Sequence, residues 1–111
     1  MEVAFSTKKF AKLCSSAKDM VGKLGKPMAA KLQQRLFELQ AAESLDDVPR
    51  VPPPRCHEMT GDLKGKLAVD LVHPYRLVFS PDHDPVPTKD DGGLDWKRVT
   101  KILVDEIVDY H

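Results

Sequence analysis

Two cysteines in 111 residues are too few for a disulfide framework. Cys14 falls within a helical pattern and Cys56 stands beside a histidine, and neither has metal-ligand spacing. A reducing cytoplasm is therefore the expected compartment. Long apolar runs are also missing; none approaches the ~20 residues of a membrane span, so no membrane partner is expected. The start has no basic segment leading into an apolar stretch and a small-residue cleavage site, so no signal peptide is read there. Net charge is absent too, with 17 Lys and Arg against 17 Asp and Glu. A strong non-specific pull on nucleic acid is thereby excluded.

Hydrophobic residues make up 41% of the chain, enough to build a core, and the length suits one domain over residues 1–111. The charge is balanced overall but uneven along the chain. Residues 1–66 carry 12 basic against 8 acidic side chains, and residues 67–111 carry 5 against 9. The basic excess lies mainly where helices are predicted, and reads as a solvated helix face in preference to a mild nucleic-acid footprint.

Residues 1–5 read as a short strand, with Ser6 as the N-cap of a helix. Phe10, Leu13, Cys14, Ala17, Val21 and Leu24 follow the spacing of one helix face. Gly25 suits a left-handed helix end, and Pro27 suits the first turn of a second helix. Met28, Leu32, Leu36 and Leu39 predict its buried stripe, with Lys31, Gln34, Arg35 and Glu38 largely outside. The short link predicts an antiparallel helical hairpin. Residues 48–54 are proline-rich and predict an extended surface connection. Residues 55–59 predict a short extended segment and residues 60–62 a turn. Residues 67–72 and 75–79 predict strands joined at His73-Pro74, and residues 99–108 predict the last strand. Residues 81–97 are polar and broken by three prolines and Gly92-Gly93, and read as an insertion anchored by Trp96. His73 reads as structural, Tyr75 as packing and His83 as incidental. The order β-α-α-β-β-β predicts an α+β domain, with a helical hairpin on one face of a mainly antiparallel sheet.

The sequence finishes with Asp109-Tyr110-His111, an acceptor, an aromatic face and an imidazole, directly after an apolar β-branched run. Two earlier segments carry compatible chemistry: Arg55-Cys56-His57-Glu58-Met59-Thr60-Gly61-Asp62, and His73-Pro74-Tyr75-Arg76-Leu77-Val78-Phe79. Cleavage of RNA without a metal uses the ribose 2′-hydroxyl as nucleophile. It needs a base near that oxygen, a cation near the phosphate, and an acid near the departing 5′-oxygen. Histidine suits proton transfer near neutral pH. The planar fork of arginine suits a phosphate that gains charge. His57, His111 and Arg76 supply these types, Tyr110 supplies a stacking surface, and Asp109 an orienting carboxylate.

Taken in this order, the three segments resemble the HigB branch of the RelE/ParE toxin superfamily. The resemblance runs over nearly the whole chain, the insertion at residues 81–97 apart. It implies a RelE/ParE-like α+β fold and a type II toxin acting as a ribosome-dependent mRNA endonuclease, without metal or cofactor. It also implies a cognate antitoxin of helix-turn-helix type, with the ribosome and mRNA as further partners. Carried over by position, its active-site residues fall on His57, Arg76, Asp109, Tyr110 and His111. Some homologues carry a lysine just after the first histidine. Here that stretch is Glu58-Met59-Thr60, which leaves Lys64 or Lys66 to contact RNA. The alternatives on the same fold are a non-catalytic toxin, like the gyrase-inhibiting ParE branch, and a degenerate antitoxin-binding module.

Overall fold

The computed structural model describes residues 1–109, and Tyr110 and His111 lie outside the described residues. The elements run β1 (Glu2–Phe5), α1 (Lys8–Cys14), α2 (Ala17–Leu24), α3 (Lys26–Ala41), β2 (His57–Glu58), β3 (Leu67–Asp70), β4 (Tyr75–Pro81) and β5 (Lys101–Asp109). The five strands form one sheet in the order β1-β5-β4-β3-β2. β1 runs parallel to β5, and the other three pairings are antiparallel. The domain is therefore α+β with a mainly antiparallel sheet, as its pattern predicts.

Period-two alternation divides the sheet into two faces. Leu67, Val69, Leu77, Phe79, Ile102 and Val104 join the helices in the main core. Ala68 and Val78 point the other way, into a small second cluster with Met59, Leu63 and Val108. Each β3 residue on this second face stands opposite a β4 residue on the same face, Ala68 against Val78 and Asp70 against Arg76.

The single helix expected over residues 10–24 is two helices. Ser15 ends the first, its hydroxyl donating to the Lys12 carbonyl at 2.7 Å. Ser16 is extended and caps the second, its oxygen accepting from the Asp19 N–H at 3.3 Å. Short hydroxyl side chains compete with the helix backbone for its own hydrogen bonds, and two in a row stop it. Within α2 it is Met20 that is buried, while Ala17, on the expected stripe, is exposed. The first cap is Thr7 rather than Ser6, since Thr7 Oγ1 accepts from the Phe10 N–H at 3.1 Å. Gly25, at φ +81°, ends α2 and starts α3 in one residue, and only glycine enters that region without strain.

α3 buries Ala29, Leu32, Leu36 and Leu39, close to the predicted stripe. Arg35 departs from it. Expected on the outside, it is only 2% exposed. Its Nε donates to the Asp70 carbonyl at 2.7 Å and its Nη1 to Glu38 Oε1 at 3.0 Å. The guanidinium is tolerated inside because its hydrogens find oxygen partners.

The proline-rich link is not extended throughout. It turns back on itself, with the Arg55 N–H donating to Val51 O at 3.1 Å and the Cys56 N–H to Pro49 O at 2.9 Å. The 81–97 insertion is tied down at its end by Trp96, which is buried, as its residue type suggested. His83, expected to be incidental, has a structural role. Its Nε2 accepts from the Thr100 and Lys101 N–H groups at 3.1 and 3.3 Å, at the entry to β5.

Arg35→Ala is expected to lower stability by about 2–3 kcal/mol, because it opens a void and leaves the Asp70 carbonyl unpaired. Urea denaturation checks this, and Arg35→Lys should recover less than half, since one ammonium cannot reproduce the two-directional fork.

Candidate active site

β2 and the turn before it bring His57 and Arg55 to the end of β3, and the β3–β4 hairpin brings Arg76 opposite Asp70. The registers His57↔Ala68, Asp70↔Arg76 and Arg76↔Val108 place His57, Asp70 and Arg76 on the sheet face away from the helices. Asp70 is the hub. Arg55 holds its carboxylate with two parallel bonds, Nε to Oδ2 at 2.8 Å and Nη2 to Oδ1 at 3.0 Å. Arg76 Nε lies 3.3 Å from the same Oδ1.

Arg55 reaches this position through its backbone. Its φ of +56° is left-handed, a region that costs a non-glycine residue roughly 1 kcal/mol. The turn folds the guanidinium back onto Asp70. It also aims the Arg55 carbonyl at His57 Nδ1, 2.8 Å away. A carbonyl oxygen can only accept, so Nδ1 carries the hydrogen in this contact. In the neutral ring, Nε2 is then the nitrogen with a free lone pair.

Burial raises the Asp70 pKa, but its hydrogen bond from Arg55 and the charges of Arg55, Arg76 and His57 outweigh that effect, and the carboxyl is held below its ordinary value. The Arg55 guanidinium is correspondingly raised, first by its hydrogen bond to Asp70. The cysteines take no part in this chemistry. Burial pushes the Cys56 thiol up to about 12 and the Cys14 thiol up to about 11, so neither is a thiolate nucleophile at neutral pH.

Arg55, Asp70, Leu71, His73, Tyr75 and Arg76 line a pocket of about 240 Å³. A larger groove of about 920 Å³ runs between α1, α2 and β5, but no histidine or arginine lines it. Four lysines line that groove, whereas the two arginines and His73 line the smaller pocket; His57 is not one of its lining residues but contacts the Arg55 carbonyl beside it. Among the described residues no group of three or more His, Cys, Asp or Glu side chains gathers to hold a metal. No helix among them is long and apolar enough to cross a membrane.

Of the residues named from the sequence, His57 and Arg76 stand together on this face. Asp109 pairs with Tyr75, one step beyond the Arg76–Val108 pair, so the pleat sets it at the alternate position at the same end of the sheet. Tyr110 and His111 lie outside the described residues. Lys66 is engaged elsewhere, its Nζ 2.8 Å from Asp105 Oδ2, which also accepts from Ser80 Oγ at 2.8 Å. Lys64 is exposed beside it on the loop before β3. His73 and Tyr75, read as structural and as packing, line the pocket instead. Arg55 opens the His57 segment but was given no role of its own, and Asp70 was missed. A signal existed for Asp70, an acid closing an apolar strand one tight hairpin away from an arginine.

Asp70→Asn removes a carboxylate whose folded-state pKa lies below its unfolded one. Such a group stabilises the fold above the unfolded value, near 4, and loses that contribution as pH falls through the folded value. The variant should be less stable than wild type by about 1 kcal/mol at neutral pH. In denaturation curves recorded as a function of pH, that gap should begin to shrink as pH falls below about 4 and close only below the folded-state value, where the native carboxyl is itself neutralised.

No protein-family model matches the chain, and no curated protein sequence does. Among solved structures, a chain of the YoeB–YefM complex from Staphylococcus aureus is similar to it, with a TM-score of 0.53. The likeness covers 100% of this chain and 97% of that one, at 17% identity. At that identity, what the two have in common is the fold, over all of this chain and nearly all of the other.

Proposed function

We propose that this protein is the toxin of a type II toxin–antitoxin system, an endonuclease that cleaves mRNA on the ribosome without a metal. The observation that carries the reading is the pairing of Arg55 and Arg76 with one carboxylate, Asp70, with His57 held beside them by the Arg55 carbonyl. Two further points support it. The fold is similar to a chain of a complex containing YoeB, a RelE-family toxin. The sequence motifs resemble the HigB branch of the same superfamily.

In the proposed reaction the 2′-oxygen attacks the adjacent phosphorus and the 5′-oxygen leaves. The products are a 2′,3′-cyclic phosphate and a 5′-hydroxyl. His57 Nε2 and the His111 imidazole divide the two proton transfers between them, one accepting from the 2′-hydroxyl and the other donating to the 5′-oxygen. Arg76 binds the phosphate as its oxygens gain charge. Asp70 keeps the two guanidiniums apart and oriented until the anion arrives, and a phosphate must compete with it for them. Tyr110 stacks on a base and Asp109 orients a neighbouring group. Lys64 contacts the RNA backbone, while Lys66 is first held by Asp105. The chain's zero net charge gives it little affinity for free RNA, so the ribosome presents the substrate. The antitoxin is the partner that holds the toxin silent.

Two features favour a second reading, a non-catalytic toxin or antitoxin-binding module. Asp70 already satisfies Arg55 with two bonds, and the stretch Glu58-Met59-Thr60 lacks the lysine that some HigB-like chains carry after the first histidine.

Induced expression separates the two readings. The wild type should stop growth. Arg76→Ala should relieve inhibition, its cleavage rate lower by ~10²–10³, with a folded circular dichroism spectrum. Removal of Tyr110 and His111 should do the same. Unchanged growth inhibition by folded Arg76→Ala protein overturns the catalytic reading and leaves the binding one.

A further inference from the structure

β2 is two residues long and lies at the edge of the sheet, with only the rungs His57↔Ala68 and Glu58↔Leu67. So short an edge strand has little pairing energy of its own and needs side-chain support to stay in place. On the second face that support is the Arg55–Asp70 pair. On the opposite face it is Glu58, since consecutive strand residues point opposite ways. Glu58 Oε2 accepts from the Trp96 indole N–H at 3.2 Å.

Trp96 is itself fixed independently of β2. It is 6% exposed and belongs to the main core. The Arg50 guanidinium lies over its ring, 3.7 Å from the centroid, a stacking that favours the cation on the aromatic face. The short turn Trp96–Arg98 packs against the turn Leu45–Asp47, and the Leu45 N–H donates to Val99 O at 2.9 Å. Glu58 is thus tied to a point already anchored in the domain. We infer that Trp96 and Glu58 are positioning residues. Through their hydrogen bond, the loop of residues 82–97 acts as a strut that holds the strand carrying His57 at the site. The inference rests on the proposed function only for the role of His57 in cleavage; the placement of the strand is measurable without it.

The test compares Glu58→Ala, Trp96→Phe and Glu58→Gln in the full chain. Two readouts are taken by nuclear magnetic resonance. One is amide exchange at Cys56 and Met59, whose N–H groups bond to Pro49 O and Lys66 O on either side of β2. The other is the ring-nitrogen signal of His57. Glu58→Ala and Trp96→Phe should each speed exchange at these two amides by about three- to tenfold. They should also move the His57 ring away from its Nδ1–H form, while exchange at the centre of β4 stays as in wild type. Glu58→Gln keeps an acceptor oxygen and should restore both. Wild-type exchange and an unmoved His57 ring in Glu58→Ala overturn the inference. Glu58 is exposed, so this variant reports even if Trp96→Phe fails to fold. If the ring moves as expected but the wild type cleaves no mRNA in a translating extract, the strut stands and the proposed function falls.

Discussion

Asp70 joins more of this molecule than any other residue of its site. Its main-chain N–H donates to Pro54 O at 2.8 Å and its carbonyl accepts from Arg35 at 2.7 Å. Its carboxylate holds Arg55 and Arg76. One residue thus ties the proline-rich link, α3, the approach to β2, and β4 to the end of β3. The constraint behind it is electrostatic. Three guanidiniums approach one strand end, and their mutual repulsion must be offset by an acceptor placed between them. The buried Arg35 takes the carbonyl and its own Glu38, leaving the carboxylate to the two arginines at the pocket.

In the proposed reaction the carboxylate holds the two guanidiniums in place, and a phosphate would have to displace it from them. The left-handed backbone of Arg55 serves two ends, turning its side chain to Asp70 and its carbonyl to His57. The histidine tautomer is therefore set by the same residue that clamps the acid. Strain in the backbone at such a point is offset by the two bonds it permits.

Much of the fold was legible because periodicity is set by burial. The apolar runs at residues 67–70 and 75–79 and the stripe of Leu32, Leu36 and Leu39 carry through into the structure as buried positions. What failed was local chemistry that periodicity does not encode. Ser15 and Ser16 break a helix whose apolar spacing runs through the break. Arg35 reads as an outer-face residue until Asp70 is brought near it, 35 positions away. At the site, His57 and Arg76 were legible by residue type. Arg55 and Asp70 were not, because their pairing depends on strand register and on a positive φ that no sequence rule assigns to arginine.

The proposed proton transfer by His57 in RNA cleavage leaves its signature in the chemistry of the cut ends. Fragments made in a translating extract by wild type should carry 5′-hydroxyl and 2′,3′-cyclic phosphate ends, and His57→Ala should reduce their formation by ~10²-fold or more. Fragments with 5′-phosphate ends, or equal cleavage by folded His57→Ala protein, would contradict it.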